Sequence, residues 1–394
     1  MSQTAMKIIY HHRTRGEDAQ GVHISELQAA WRAMGHELVE VSLGNRTSEG
    51  GKEKPAPKPG EMQKGHSEGR GKLGSLIYEF LSFGYNVVGA FRLWQAVRRI
   101  RPAFIYERHS IHLVAGAVVS RLTGVPLVLE VNAPLAEEMA KQSGLVAQGF
   151  AEALEHWVIR KATRVVVVTD VLRQYYARKG LGVSHFEVMH NGVDPARFNA
   201  QVSPVTVRER HGLQGRCVVG FVGWVRQWHR LDLMIDALSA LPDRDNFAML
   251  VVGDGPAVPA LREQAARLGM AGNIVFAGPV RHSEIPDHVA AMDITVLPSI
   301  PPYASPMKLF EYMALGKAVV VPDQPNLREV VHDGENGLCF PVGDYAAFAD
   351  CVLRLAQDNA LRARMGQGAL RTIEDNGHFW RSNAERVNRS LGLA

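Results

Sequence analysis

Val218-Val219-Gly220-Phe221-Val222-Gly223, then Leu231–Leu241, then Ala248-Met249-Leu250-Val251-Val252-Gly253: the reading of this stretch decides the fold. Two short β-branched runs, each ending on glycine, flank one segment whose apolar residues recur near helical spacing. Runs without a polar face suit strands covered on both sides, and a helix between them makes a parallel βαβ unit. The pattern continues downstream through Ile274–Ala277, Ile294–Pro298 and Ala318–Pro322, with Pro259–Leu268 as a further amphipathic segment. Upstream it runs through Lys7–Tyr10, Glu37–Val41, Phe104–Tyr106, Pro126–Glu130, Arg164–Thr169 and Phe186–Met189. Two such series predict an α/β protein of two doubly wound, Rossmann-like domains facing across a cleft. A chain of 394 residues is comfortable for two domains of roughly 200 each. The turn-rich Asn191-Gly192-Val193-Asp194-Pro195 and the polar Asn199–Gly215 divide them, giving domains at 1–197 and 198–370. The helical tail, 371–394, is expected to pack back on the first domain.

Apolar content of 46% and charged content of 21% describe a globular protein. The net charge of +4 fits anionic ligands such as nucleotides or lipid head groups, and a solvated surface explains it equally well. Three cysteines (Cys217, Cys339, Cys351) have no metal spacing and read as small core residues in a reducing compartment. The start of the chain lacks a signal-peptide pattern, and stretches such as Leu113–Val119 fall short of the roughly 18 apolar residues of a span. These features predict a cytoplasmic protein, with peripheral contact at the inner face of a membrane as the alternative to a wholly soluble life. No nucleic-acid partner is expected. Residues 44–72, rich in Gly, Pro, Lys and Glu, read as a mobile loop. After them Leu76–Arg101 carries Tyr78, Phe80, Phe83, Tyr85, Phe91 and Trp94 and ends in Arg98-Arg99-Ile100-Arg101. It is either a core-facing helix with a solvated basic end or a helix that faces lipid.

The densest chemistry lies in Ser305-Pro306-Met307-Lys308-Leu309-Phe310-Glu311-Tyr312-Met313-Ala314-Leu315-Gly316-Lys317. It follows a strand, so it falls at the carboxyl end of a parallel sheet, where such proteins place ligands. A loop over Pro301–Pro306 would feed a helix near Met307, whose first-turn amides can meet an anion with Lys308 adding charge. Glu311, one turn on, suits two ribose hydroxyls; the plainer reading pairs it with Lys308. Phe221–Arg230 projects a second polar loop from a strand end. Val251-Val252-Gly253-Asp254-Gly255-Pro256 lacks the third glycine of a dinucleotide fingerprint, and the strand after it lacks the acidic residue for an adenosine ribose.

Together with Val222-Gly223…Trp228-His229 and Asn191-Gly192-Val193-Asp194, these blocks resemble the family 4 retaining glycosyltransferases over nearly the whole chain. The resemblance implies a GT-B fold, an acceptor domain first and a donor domain second, and a nucleoside-diphosphate sugar as substrate, with no cofactor. It assigns the ribose to Glu311 and brings Lys308 to the diphosphate, with Gly223, Gly253, Ser305, Pro306 and Met307 around the donor. Where many relatives carry Arg and Lys on the loop after Gly223, Trp224 and His229 stand here, so Arg226 is expected to supply the fixed charge and His229 a hydrogen bond or partial charge. The loop carrying Val280 and Arg281 would meet the base through its backbone. The family's first glutamate, which approaches the transferred sugar, falls at Tyr303. A branch with Ser-Pro-x-Lys in this place is most similar. Many relatives have His where Asn132 stands; Asn can hydrogen-bond a sugar hydroxyl but cannot act as a base. Glu107, Arg108, His109 and Glu130 would face the acceptor, or form a strand-end hydrogen-bonding cluster. Gln20-Gly21, in the loop His11–Gly21, would allow close backbone approach to donor or acceptor.

The histidines His11, His12 and His23 match no ligand spacing and no Asp-x-Asp motif is present, so no metal is expected. The expected reaction moves a sugar from the nucleotide to a glycan or lipid-linked glycan with retention, as in envelope or exopolysaccharide assembly. A sugar-nucleotide epimerase and a GT-B partner subunit without turnover are the competing readings.

Overall fold

Parallel strands that are apolar on both sides need cover on both sides, and the two sheets of the computed structural model are built that way. The structure describes residues 5–14, 19–42, 72–143, 145–241 and 243–393. Among these the chain divides into two units, one running to Gly192 and taking back Trp380–Ala394, the other Val193–Phe379.

The first unit contains β1 (Lys7–His11), α1 (Ala19–Ala33), β2 (Glu37–Val41), α2 (Lys72–Ile100), β3 (Phe104–Arg108) and α3 (Ala115–Thr123). It continues with β4 (Leu127–Val131), α4 (Leu135–Ser143), α5 (Gln148–Lys161), β5 (Arg164–Val167), α6 (Asp170–Arg178) and β6 (Phe186–Val188). All pairings are parallel, in the order β2-β1-β3-β4-β5-β6. Every residue of β3 and β4 is buried.

The second unit contains α7 (Val205–His211), β7 (Cys217–Val222), α8 (Leu231–Ser239), β8 (Phe247–Val252), α9 (Val258–Arg267), β9 (Ile274–Gly278) and α10 (Ile285–Ala290). Then come β10 (Ile294–Val296), α11 (Met307–Ala314), β11 (Ala318–Pro322), α12 (Pro325–Arg328), β12 (Gly337–Phe340), α13 (Tyr345–Gln357) and α14 (Asn359–Asp375). This sheet is also parallel, ordered β12-β11-β10-β7-β8-β9. The pleat of β7 sends Val218 and Val222 into one apolar cluster and Val219 and Phe221 into another. The last helix, α15 (Trp380–Ser390), belongs to the first unit. There Trp31 Nε1 donates to Asn388 Oδ1 (3.2 Å), Asn383 to the His190 carbonyl (2.8 Å) and Arg164 to the Ser390 carbonyl (2.9 Å).

Several expectations change. The units divide at Gly192/Val193 and Phe379/Trp380 rather than after 197 and 370, because Val193 N–H is already bonded to the His378 carbonyl of the second unit (3.0 Å). β5 stops at Val167, since Thr169 leaves the strand to cap α6 by accepting from Leu172 N–H (3.2 Å). Gln20 and Gly21 lie in the first turn of α1, not in a loop. The loop expected over 44–72 falls outside the described residues except for Lys72, where α2 begins. Along α2, Leu93, Val97 and Ile100 are buried, whereas Phe80, Phe83, Phe91 and Trp94 are exposed, so the core-facing reading holds for one stripe of the helix and not for its aromatic residues.

Helix α14 packs against the turn after α11 so closely that a Cβ on Gly366 would stand 2.1 Å from the Gly316 carbonyl oxygen. At an exposed helical site Gly→Ala stabilises by about 0.5–1 kcal/mol. Here the sign reverses: Gly366→Ala is expected to destabilise by about 1–3 kcal/mol, as overpacked cores do. Urea unfolding measures it, and an unchanged or raised midpoint contradicts it.

Candidate functional site

In the second unit the loops that leave β7, β8 and β9 are hydrogen-bonded to one another. Gly223 N–H donates to the Val252 carbonyl (2.8 Å), Val225 N–H to Asp254 (2.8 Å) and Gly253 N–H to Gly278 (2.8 Å). The backbones approach too closely for side chains. A Cβ on Gly253 (φ 123°) would lie 2.1 Å from the Gly223 oxygen, and one on Gly255 2.2 Å from that of Val225. The Gly-x-Gly pair thus serves loop packing.

Gly223, at φ 135°, has a second role: a Cβ there would stand 2.7 Å from Lys308 Nζ. The half-buried Lys308 lies on α11, with its ammonium 4.1 Å from the centre of the Phe221 ring. Burial pulls its pKa down to about 8, with Glu311 acting the other way. Tyr312 ties α11 to the end of β7 by accepting from Val222 N–H (2.8 Å), a link between residues 90 apart that spacing does not reveal. Pro306 precedes α11 without a side-chain cap, so the amides of Met307 and Lys308 begin the helix uncapped. Buried Asn326 holds the loop before it, donating to the carbonyls of Ala304 (2.7 Å) and Pro301 (3.3 Å). Ser305 and Tyr303 sit half-buried in that loop.

On the β7 loop, His229 accepts the Arg226 backbone N–H at Nδ1 (3.1 Å), which places the ring proton on Nε2. Burial, then Lys308 and Arg226, push its pKa down to about 3. At neutral pH it is therefore a neutral donor, and not the partial charge considered from sequence. The Arg226 guanidinium lies 4.6 Å over the exposed Trp228 ring.

Glu311 is 9% exposed, and its nearest ionic partner is His282, with Nε2 to Oε1 at 3.6 Å, longer than a hydrogen bond. The plainer reading, a pair with Lys308, gives way to this one. His282 is fixed from behind: Arg197 donates to its Nδ1 (2.9 Å), and Asp194 accepts from Arg197 (3.2 Å). Sequence reasoning had the Asn-Gly-Val-Asp motif and the His282 loop separately and missed that they meet. Val280 packs against the apolar cluster, and the Arg281 side chain pairs with Glu284 (3.0 Å).

In the first unit, Glu130 at the end of β4 is a buried hub. It pairs with Arg108 and accepts from Tyr106 Oη (2.8 Å) and from the Asn132 amide. Burial raises its pKa, but His23, Arg108, Asn132 and Tyr106 together hold it below the ordinary carboxylate value. Burial pushes His23 itself down to about 4, so Arg108 supplies the lasting charge. Glu107, Arg108, His109 and Glu130 are all buried, as the strand-end cluster reading expects. Glu107 is wholly buried, bonded to His11 Nδ1 and accepting from Gly116 N–H (2.9 Å). His109 is buried 3.4 Å from Glu155. Half-buried Asn132 keeps its Oδ1 for other partners.

Residues 20–197 match the model described as Glycosyltransferase Family 4, and residues 216–358 match that described as Glycosyl transferases group 1. The alpha-D-kanosaminyltransferase of Streptomyces kanamyceticus is 27% identical over 258 residues, covering 64% of this chain and 67% of that one. A D-inositol 3-phosphate glycosyltransferase of Acidothermus cellulolyticus is 32% identical over 286 residues, 68% of this chain and 62% of that one. The structure of Anabaena HepE in complex with UDP superposes with a TM-score of 0.75 at 18% identity, over 99% of this chain and all of that one. The chain is a glycosyltransferase with the GT-B fold.

In this glycosyltransferase, His11 pairs with Glu107, His12 with Glu40 (3.1 Å) and His23 with Arg108. Among the described residues no group of three or more His, Cys, Asp or Glu is placed to hold a metal ion. The Arg108–Glu130 pair makes a stability prediction. Arg108→Met leaves a buried carboxylate without its cation and is expected to cost about 3–5 kcal/mol. Because the folded-state pKa of Glu130 is depressed, its contribution is present above the unfolded value and lost as pH falls through the folded one. The difference between parent and variant should therefore shrink on acidification. Equal urea midpoints at neutral pH would contradict the assignment.

Proposed function

We propose that this glycosyltransferase takes a sugar from a nucleoside-diphosphate donor held on the second unit and transfers it, with retention and without a divalent metal, to a glycan or lipid-linked glycan. The observation that carries the reading is the pairing, on one helix, of an uncapped N-terminus with Lys308 and, a turn later, the oriented carboxylate of Glu311. Glu311 accepts hydrogen bonds from the ribose hydroxyls. The amides of Met307 and Lys308, the Lys308 ammonium and the Arg226 guanidinium stabilise the departing diphosphate, with neutral His229 donating from Nε2. That the Anabaena protein was solved with UDP supports a nucleotide on this fold. Asn132 hydrogen-bonds a sugar hydroxyl, and the leaving phosphate takes the acceptor proton, since Asn cannot. One specific residue favours a second reading, a partner subunit without turnover: Tyr303 stands where the family's first glutamate is expected. Nucleotide binding without donor hydrolysis or transfer, across a donor panel, would select it.

Glu311→Ala should lower kcat/KM by roughly 10- to 150-fold, as loss of a charge-assisted contact of about 1.5–3 kcal/mol implies. The same variant should lose the parent's preference for the best-bound nucleoside diphosphate over its 2′,3′-dideoxy analogue. A preference that survives removes Glu311 from the ribose site.

The Lys308 amine gives a pH signature. Its pKa of about 8 in the free protein means the charge is present below that pH, and a bound diphosphate raises the value. Nucleotide affinity should thus hold up to pH 8 and then fall by up to about tenfold per pH unit. Lys308→Ala should flatten the profile, and turnover should persist in excess chelator. Dependence on added magnesium or manganese, or an unchanged profile in the variant, would overturn the electrostatic assignment.

A further inference from the structure

We propose that the outward face of α2 is a docking surface for an anionic lipid bilayer. The helix is amphipathic in the inverted sense along its first half. Its inward stripe begins with Glu79, Ser82 and Asn86, all buried, while Ile77, Phe80, Leu81, Val87, Val88 and Phe91 point to solvent. Phe80 and Val87 are each 77% exposed. Rotation of the helix cannot bury them, because the inward polar groups are bonded to the unit. Glu79 accepts the N–H groups of Val146 (2.6 Å) and Ala147 (3.1 Å) ahead of α5. Ser82 is bonded to His112 Nδ1 (2.9 Å), and Asn86 donates to the His112 carbonyl (2.7 Å) and accepts from Val114 N–H (2.8 Å). The apolar face is thus held outward by hydrogen bonds that only this rotation satisfies. It continues onto α5, where exposed Phe150 packs edge-on against Phe83 with ring centres 5.7 Å apart.

Charge selects the occupant. Glu79 is the one acidic residue between Lys72 and Arg101, and it faces inward, whereas Arg92, Arg98, Arg99 and Arg101 are exposed. Arg98 lies 5.2 Å over the Trp94 ring, the arrangement of an aromatic at an interface with its guanidinium neighbour reaching for head groups. A second copy of the chain would bring arginine against arginine, while anionic head groups meet them with opposite charge. Among the described residues no helix is long and apolar enough to cross a membrane, so α2 would lie along the surface.

The inference rests on this surface alone, so its failure leaves the donor-site reading standing. Co-sedimentation of the parent with phosphatidylcholine–phosphatidylglycerol vesicles, and with phosphatidylcholine alone, tests it. Binding is expected to the first, weakened by salt, and poorly to the second. Arg98→Gln/Arg99→Gln/Arg101→Gln should weaken it roughly a hundredfold, three basic residues at a charged surface being worth about that much. Phe80→Ser/Val87→Ser/Phe91→Ser should abolish it, with circular dichroism and nucleotide affinity as in the parent. No vesicle binding by the parent, or binding by either variant that equals the parent's, overturns the proposal. So does self-association without vesicles that the serine variant removes, since that assigns the face to a second copy.

Discussion

The Gly223 carbonyl oxygen occupies the space in which a side chain on residue 253 would have to begin. From that close approach the rest of the architecture at this end of the second unit follows. With Gly253 and Gly255 allowing the loops after β7 and β8 to touch, the backbone of Val225 is captured by Asp254, and the chain is launched into the turn that carries Arg226 and His229. The same glycine that supplies the oxygen leaves room, on its other side, for the Lys308 amine. One strand end thereby sets the position of two loops and one helix, and Tyr312 locks that helix to the last residue of the strand. Positioning of this kind lets groups several elements apart act on one ligand without reorganising when it arrives.

This region gathers two cationic side chains, Lys308 and Arg226, around a neutral imidazole. Lys308 rests on an aromatic ring, its ammonium held at a depressed pKa by burial, and burial, with Lys308 and Arg226 beside it, keeps His229 neutral. A cation in such surroundings is at a disadvantage until an anion joins it, so on the proposed reading the diphosphate relieves a cost already present in the free protein. Glu311 would repel that anion if it stood in the same place. It is one turn deeper, turned toward His282, whose orientation is fixed by Arg197 and Asp194. Two ligand groups of different polarity can thus be met by one short helix.

The alternation of strands and helices was legible because parallel strands covered on both faces are written as continuous apolar runs. Gly337-Leu338-Cys339-Phe340 escaped notice because four residues led by a glycine carry no such run, yet they form the edge strand β12. The motif on α11 was readable locally, since a charge and a carboxylate one turn apart need no knowledge of the fold. What surrounds it was not: Arg197 and His282 are 85 residues apart, and only the fold brings them into contact. Glu107 and His109 were left between two readings, an acceptor face and a strand-end cluster, for a related reason. Their place at the carboxyl end of a strand was correctly inferred, but a strand end can turn toward a ligand or toward a covering helix. Gly116, too close to Glu107 for any side chain of its own, shows which occurred.

Helix α2 shows the limit of reading apolar periodicity as a core. A helix with apolar residues over most of its circumference can present any of several faces to a sheet, and burial alone would favour the aromatic one. Here Glu79, Ser82 and Asn86 decide. Each satisfies a backbone or imidazole group that the first unit would otherwise leave without a partner near the starts of α3 and α5. An unmet polar group in the interior costs more than an exposed aliphatic side chain. The polar side of the helix is therefore drawn inward, and the aromatic side is left out. The exposed apolar face is a consequence of hydrogen-bond satisfaction beneath it.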